Sequence, residues 1–153
     1  MKKTVFQCAG NLLLFTLMGL SFLFPFSEVI RTESGFQGSV SVFPFLFMIY
    51  LVVYPIICFI ISKKYPWGKS ADSELTYSDE REKIIVAEST KIAYQVLVGG
   101  LMFAIVAIGG VKLFSLSTGV TISTYLTSIA LLTVLLDIAT ISYCTKWCQE
   151  YKK

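Results

Sequence analysis

The stretch Ser78-Asp-Glu-Arg-Glu-Lys-Ile-Ile-Val-Ala-Glu-Ser-Thr-Lys91 runs directly into Ile92-Ala-Tyr-Gln-Val-Leu-Val-Gly-Gly-Leu-Met-Phe-Ala-Ile-Val-Ala-Ile-Gly-Gly-Val111. The second half carries no charge and is about as long as a helix must be to cross a bilayer core of about 30 Å. The first half is charged and regular. Ser78 or Asp79 suits a helix cap, and with Asp79 as cap Glu82 falls at the position of a capping box. Asp79 and Glu80 suit the positive end of the helix dipole. Asp79 with Lys83 and Glu88 with Lys91 form pairs at helical spacing. No Pro or Gly interrupts the run before Gly99. The pattern predicts one helix from about Asp79 to Val111, roughly 50 Å long. Its first three turns must project beyond the apolar core or bend along its surface.

Three more segments reach membrane-spanning length: about Val5 to Phe26, Val40 to Ile61 and Thr121 to Tyr143. The first follows Lys2 and Lys3 like a signal peptide. It is too long for a typical signal core, and Pro25-Phe26-Ser27-Glu28 offers no small-residue cleavage site. Of the 153 residues, 55% are apolar and 15% charged, with a mean hydropathy of +0.71. That excludes a disordered chain and a typical soluble enzyme. The expected fold is an all-α, integral membrane four-helix bundle in one domain, with spans at about 5–26, 40–61, 92–111 and 121–143. The third helix has a long cytoplasmic extension within a loop at about 62–91.

Charge placement sets the expected orientation. Lys2, Lys3, Lys63, Lys64, Lys69, Arg81, Lys83, Lys91, Lys146, Lys152 and Lys153 fall on one side, and only Arg31 and Lys112 on the other. Eleven against two puts both termini in the cytoplasm of a cell whose plasma membrane the chain crosses four times. Tyr65, Trp67, Tyr143 and Trp147 mark the cytoplasmic boundary. The outer loops, Ser27–Ser39 and Lys112–Val120, are too short to form a domain.

Chemistry-bearing residues are few. The chain has no His and therefore lacks the commonest general base and metal ligand. Cys8, Cys58, Cys144 and Cys148 form no CxxC pair, and all lie near the cytoplasmic end, where thiols stay reduced. No metal, cofactor or catalytic residue is expected. Basic residues are matched by acids around 79–91, which argues against nucleic acid as a partner.

Asp137 is the one ionisable residue well inside a span, and such a residue is a functional candidate by default. Ser123, Ala130, Thr133, Asp137, Thr140, Cys144 and Cys148 share one face of the fourth helix, a face suited to protein rather than lipid. Pairing the third and fourth helices about a turn near Leu116 brings Asp137 level with Gln95, with Lys91 and Tyr94 within a turn. Counting from the helix ends adds Asn11 and Tyr54 to this polar layer. Gly100 and Ala104 form a small-xxx-small packing pair, supplemented by Gly99, Ala107, Gly109 and Gly110. Phe43, Phe47, Tyr50 and Tyr54 share a face of the second helix.

Asp79-Glu80-Arg81, leading into a membrane helix and a helical hairpin, resembles a family of small uncharacterised four-helix membrane proteins of Gram-positive bacteria and archaea. In that family an Asp-Glu-Arg box precedes the third helix. The resemblance covers about Tyr77 to Tyr143 and implies a fold but no agreed activity. In size and composition the chain is also similar to bacteriocin immunity factors. The expected function is that of a non-enzymatic membrane protein acting through a protein or peptide partner, as an immunity, accessory or regulatory factor. Asp79, Glu80, Arg81 and Glu82 are its expected docking residues. The alternative is a self-associating transporter or channel subunit that uses Asp137.

Overall fold

The computed structural model describes residues 2–32, 35–64 and 80–152. Four helices dominate it: α1 (Lys2–Leu23), α2 (Val42–Lys64), α3 (Glu80–Thr118) and α4 (Thr124–Lys152). Each is long and apolar enough to cross a membrane. Between α1 and α2 the chain forms an antiparallel hairpin of β1 (Phe26–Thr32) and β2 (Gly35–Val40), in place of the plain loop of an all-α fold. Val29, Ile30 and Thr32 are β-branched and favour strand geometry. Pairing also satisfies backbone groups that have no helix to serve them. The register runs from Phe26 opposite Val40 to Thr32 opposite Gly35, with an irregularity between Phe26 and Glu28. At its base Ser41 N–H donates to the Pro25 carbonyl at 3.0 Å, and Ser41 Oγ accepts from Phe43 N–H at the start of α2.

α3 is longer than the sequence pattern suggested. Nothing in Val111–Thr118 breaks a helix, so it continues to Gly119, whose φ of 72° ends it in the left-handed region. Gly119 N–H donates to the Ser115 carbonyl at 3.1 Å. Four residues later Ser123 Oγ accepts from Leu126 N–H at 3.4 Å and caps α4. The start of α3 at Glu80 places Asp79 just before it, outside the described residues. With 39 and 29 residues, α3 and α4 are about 58 and 44 Å long. Both exceed a bilayer core of about 30 Å.

Side by side, the helices run α2, α1, α4, α3. α4 packs on α1 with one face and on α3 with another, and α2 packs chiefly on α1. No extended α2–α3 interface closes the set into a ring. α2 buries none of the residues in its most apolar stretch. The aromatic face of α2 turns to α1: Tyr50 stacks on Tyr54 at 5.2 Å, Tyr54 on Phe6 at 6.2 Å, and Phe43 lies 6.1 Å from Phe24. Tyr50 Oη donates to the Gly10 carbonyl at 2.8 Å, and Ser21 Oγ lies 3.1 Å from the Phe43 carbonyl.

Glycine lets these helices approach. Gly10 lies against the Tyr54 ring, Gly19 against Thr133 and Gly100 against Leu135, each so closely that a Cβ would collide. Ala104 is 4% exposed in the same α3–α4 seam. Gly99, Gly109 and Gly110 meet nothing and do not belong to it. The Gly100→Leu variant should therefore lose about 1–3 kcal/mol of stability through overpacking, whereas Gly109→Leu should be neutral or slightly stabilising. Thermal unfolding in detergent reads the difference. Equal behaviour of the two variants would mean that Gly100 is not at an interface.

Candidate functional site

The apolar run Leu12-Leu-Leu-Phe-Thr-Leu17 in α1 contains one hydroxyl, that of Thr16. It meets Asp137 of α4, with Thr16 Oγ1 and Asp137 Oδ2 3.2 Å apart. Asp137 Oδ1 is buried and has no partner among the described residues. Thr16 Oγ1 also lies 2.9 Å from the Leu12 carbonyl. A threonine hydroxyl carries one proton and cannot donate to both oxygens. Two arrangements therefore satisfy the geometry. In one, Thr16 donates to an Asp137 carboxylate. In the other, Thr16 donates to Leu12 and a protonated Asp137 donates to Thr16. Exchange between them turns one hydroxyl and moves one proton.

α1 begins its apolar stretch at Thr4, so Thr16 is about 18 Å along it, near the middle of a bilayer core. Asp137 shares that depth. Fifteen residues of α4 follow it, because the helix continues to Lys152 rather than ending near Tyr143.

The polar layer expected around Asp137 does not assemble as one cluster. Gly100 packs on Leu135, so the α3 residue level with Asp137 is Val98. Gln95 is nearly a turn away and exposed, and Lys91 is exposed as well. Tyr54 meets α1 at Gly10, about 9 Å along the axis from Thr16 and on the side facing α2. Asn11 is half-buried on α1, five residues from Thr16 and off the Asp137 face. The partner that sequence reasoning missed is Thr16. Its only signal was a lone hydroxyl in an apolar run.

A second candidate lies where α3 and α4 run past the bilayer. Ile85, Val86 and Trp147, 3–8% exposed, form a small apolar core, with Tyr143 and Cys148 packed against it. Ser89 is fully buried at this crossing and donates to the Ile85 carbonyl at 2.7 Å. Trp147 is thus enclosed between α3 and α4, and it stacks on Tyr151 at 4.9 Å. Lys146 Nζ donates to Glu150 at 2.6 Å and lies 3.6 Å from Glu88. Glu88 thus reaches α4, while Lys91 is exposed. The Glu150 hydrogen bond raises the Lys146 pKa and keeps the ammonium charged. Burial, then the neighbouring Cys144, push the Cys148 thiol up, making it a poor nucleophile at neutral pH.

Of the residues expected to dock a partner, Glu80 and Arg81 are exposed at the start of α3, and Glu82 is half-buried. Glu80, Ile84, Ala87, Lys91 and Tyr94 form an exposed stripe at alternating spacings of four and three, opposite the face that holds Ile85, Val86 and Ser89. Ile84 is 64% exposed.

The Thr16→Val variant should cost about 1–3 kcal/mol, because it leaves the buried carboxyl group without a partner. Unfolding of the purified protein in detergent measures this. Wild-type stability would mean that the α1–α4 bond does not form. No family model, no curated protein and no solved structure matches the chain.

Proposed function

We propose that this chain is a non-enzymatic, multi-pass protein of the plasma membrane that acts by docking a partner on the projecting ends of α3 and α4. An immunity, accessory or regulatory factor works in this way. The observation that carries the reading is the exposed stripe around Ile84. The spacing of Glu80, Ile84, Ala87, Lys91 and Tyr94 is the one a partner helix accepts, with an apolar centre and flanking charges. The α3–α4 core behind the stripe holds it rigid, so a partner would order little on binding. The eleven-to-two distribution of Lys and Arg supports a cytoplasmic position for this projection and for both termini.

Two experiments test this reading. Reporters fused after Lys69 and Lys153 should read cytoplasmic, and reporters at Gly35 and Val120 external. An external signal at Lys69 overturns the orientation. A photo-crosslinking side chain at position 84 should give a discrete adduct in the native host, while one at the buried position 89 should not. Exchange of Glu80, Arg81 and Glu82 for Ala should remove the adduct without changing protein level or topology. Loss of insertion would show instead that these charges serve orientation alone.

A second reading is favoured by one observation: the buried Oδ1 of Asp137 has no partner among the described residues. In this reading chains associate to form a path, and Asp137 exchanges protons or cations. Asp137→Asn keeps the shape of the protonated acid but cannot ionise. Proton-driven flux in liposomes that disappears in this variant would support transport over docking.

A further inference from the structure

α1 and α4 do not close completely toward the end of the fold that carries both termini. They leave a groove of about 220 Å³, open on one side. Val5, Cys8 and Leu12 of α1 line it together with Thr140, Ile141 and Cys144 of α4, and its walls are almost wholly apolar. It begins one residue into the apolar stretch of α1 and extends about 10 Å along that helix, the depth of the outer third of a bilayer core. A groove at that depth opens onto acyl chains, not water.

The mouth has a charge of its own. α1 starts with Lys2 and Lys3, one turn before Val5. α4 ends with Lys152, which acts electrostatically on Cys148, one turn beyond Cys144. Thr145 lines the groove and is exposed, so its hydroxyl is available as a donor. No carboxylate lines the groove: Asp137, the nearest in sequence, lies beyond its inner end against Thr16, and Glu150, toward the helix end, binds Lys146. Basic residues at the end of an apolar cleft between membrane helices match a phosphodiester above a hydrocarbon chain.

We infer that this groove holds one acyl chain of an anionic phospholipid of the phosphatidylglycerol class, with its phosphate at Lys152 and Thr145, at the end of the fold where α1 starts. The site requires only that both helix ends share one membrane face. It is independent of the docking stripe, which lies on α3.

The test uses the full chain extracted in mild detergent from membranes of mixed phosphatidylglycerol and phosphatidylethanolamine, with retained lipid counted by mass spectrometry. Wild-type protein should be enriched in phosphatidylglycerol relative to the membrane. Lys152→Gln, at an exposed helix end, should lower that enrichment by about fivefold, the effect of one cation near a phosphate. Ala9→Phe, at an exposed position in the groove wall, should lower retention of both lipids, while Val106→Phe on the open face of α3 should leave it unchanged. Retention of the two lipids in the membrane's own ratio would overturn the inference. So would unchanged selectivity in Lys152→Gln, which keeps the test decisive if Ala9→Phe fails to fold. Loss of the crosslink at position 84 with lipid selectivity intact would count against docking alone.

Discussion

A leucine surrounded by lipid gains nothing by turning to another leucine, so helices in a bilayer need close backbone approach or a polar contact to stay together. In this chain α4 meets that constraint on two faces. Gly100 accepts Leu135 on the α3 side. Gly19 accepts Thr133 on the α1 side, where Thr16 also meets Asp137. α2 joins through its aromatic face and the Tyr50–Gly10 hydrogen bond. The row α2–α1–α4–α3 follows from where these contacts lie. Large apolar side chains such as Val106 and Phe103, 73% and 69% exposed, are left to the lipid.

The same constraint reverses outside the bilayer. In water the burial of a large apolar side chain contributes about 1.5–3 kcal/mol, and burial reappears where α3 and α4 outrun the membrane. Ile85, Val86 and Trp147 form the buried apolar cluster there. The Lys146–Glu88 pair, 3.6 Å apart with Glu88 exposed, adds little, since exposed pairs contribute about 0–1 kcal/mol. The projection is therefore held by packing and only registered by charge.

How much of this was legible in the sequence depended on scale. Four spans follow from length and hydropathy, because those quantities sum over some twenty residues. The small polar face of α4 is legible from helical period alone, and in the structure its middle part, Thr133, Asp137, Thr140 and Cys144, meets α1. The end of the fourth helix is not, since the pattern stops near Tyr143 and the helix continues to Lys152. The partner of Asp137 was also hidden, since nothing local to Leu12–Leu17 says which helix Thr16 will face. The sequence pattern singles out Gly100, which packs on Leu135, together with Gly99, Gly109 and Gly110, which touch nothing, and it gives no sign of Gly10 and Gly19. A glycine's role depends on what stands opposite, and that is a property of the assembled helices. The β-hairpin was missed because Glu33, Gly35 and Gly38 read as a loop, although Val29, Ile30 and Thr32 carried a strand signal.

The Thr16–Asp137 contact joins residues 121 positions apart, and this has a consequence for biosynthesis. α1 and α2 form one local pair, and α3 and α4 another; the α1–α4 interface is the main seam between them. At about 5–20 residues per second, roughly 6–24 s pass between translation of Thr16 and of Asp137. During that interval α1 stands in the bilayer without its principal neighbour, and its glycine notch at Gly19 is empty. A ribosome that stalls after α3 leaves a chain with three inserted helices and no seam between the first pair and the third. Such a fragment presents small-residue faces to the membrane, which is the form that a quality-control protease or insertase can distinguish from the finished protein.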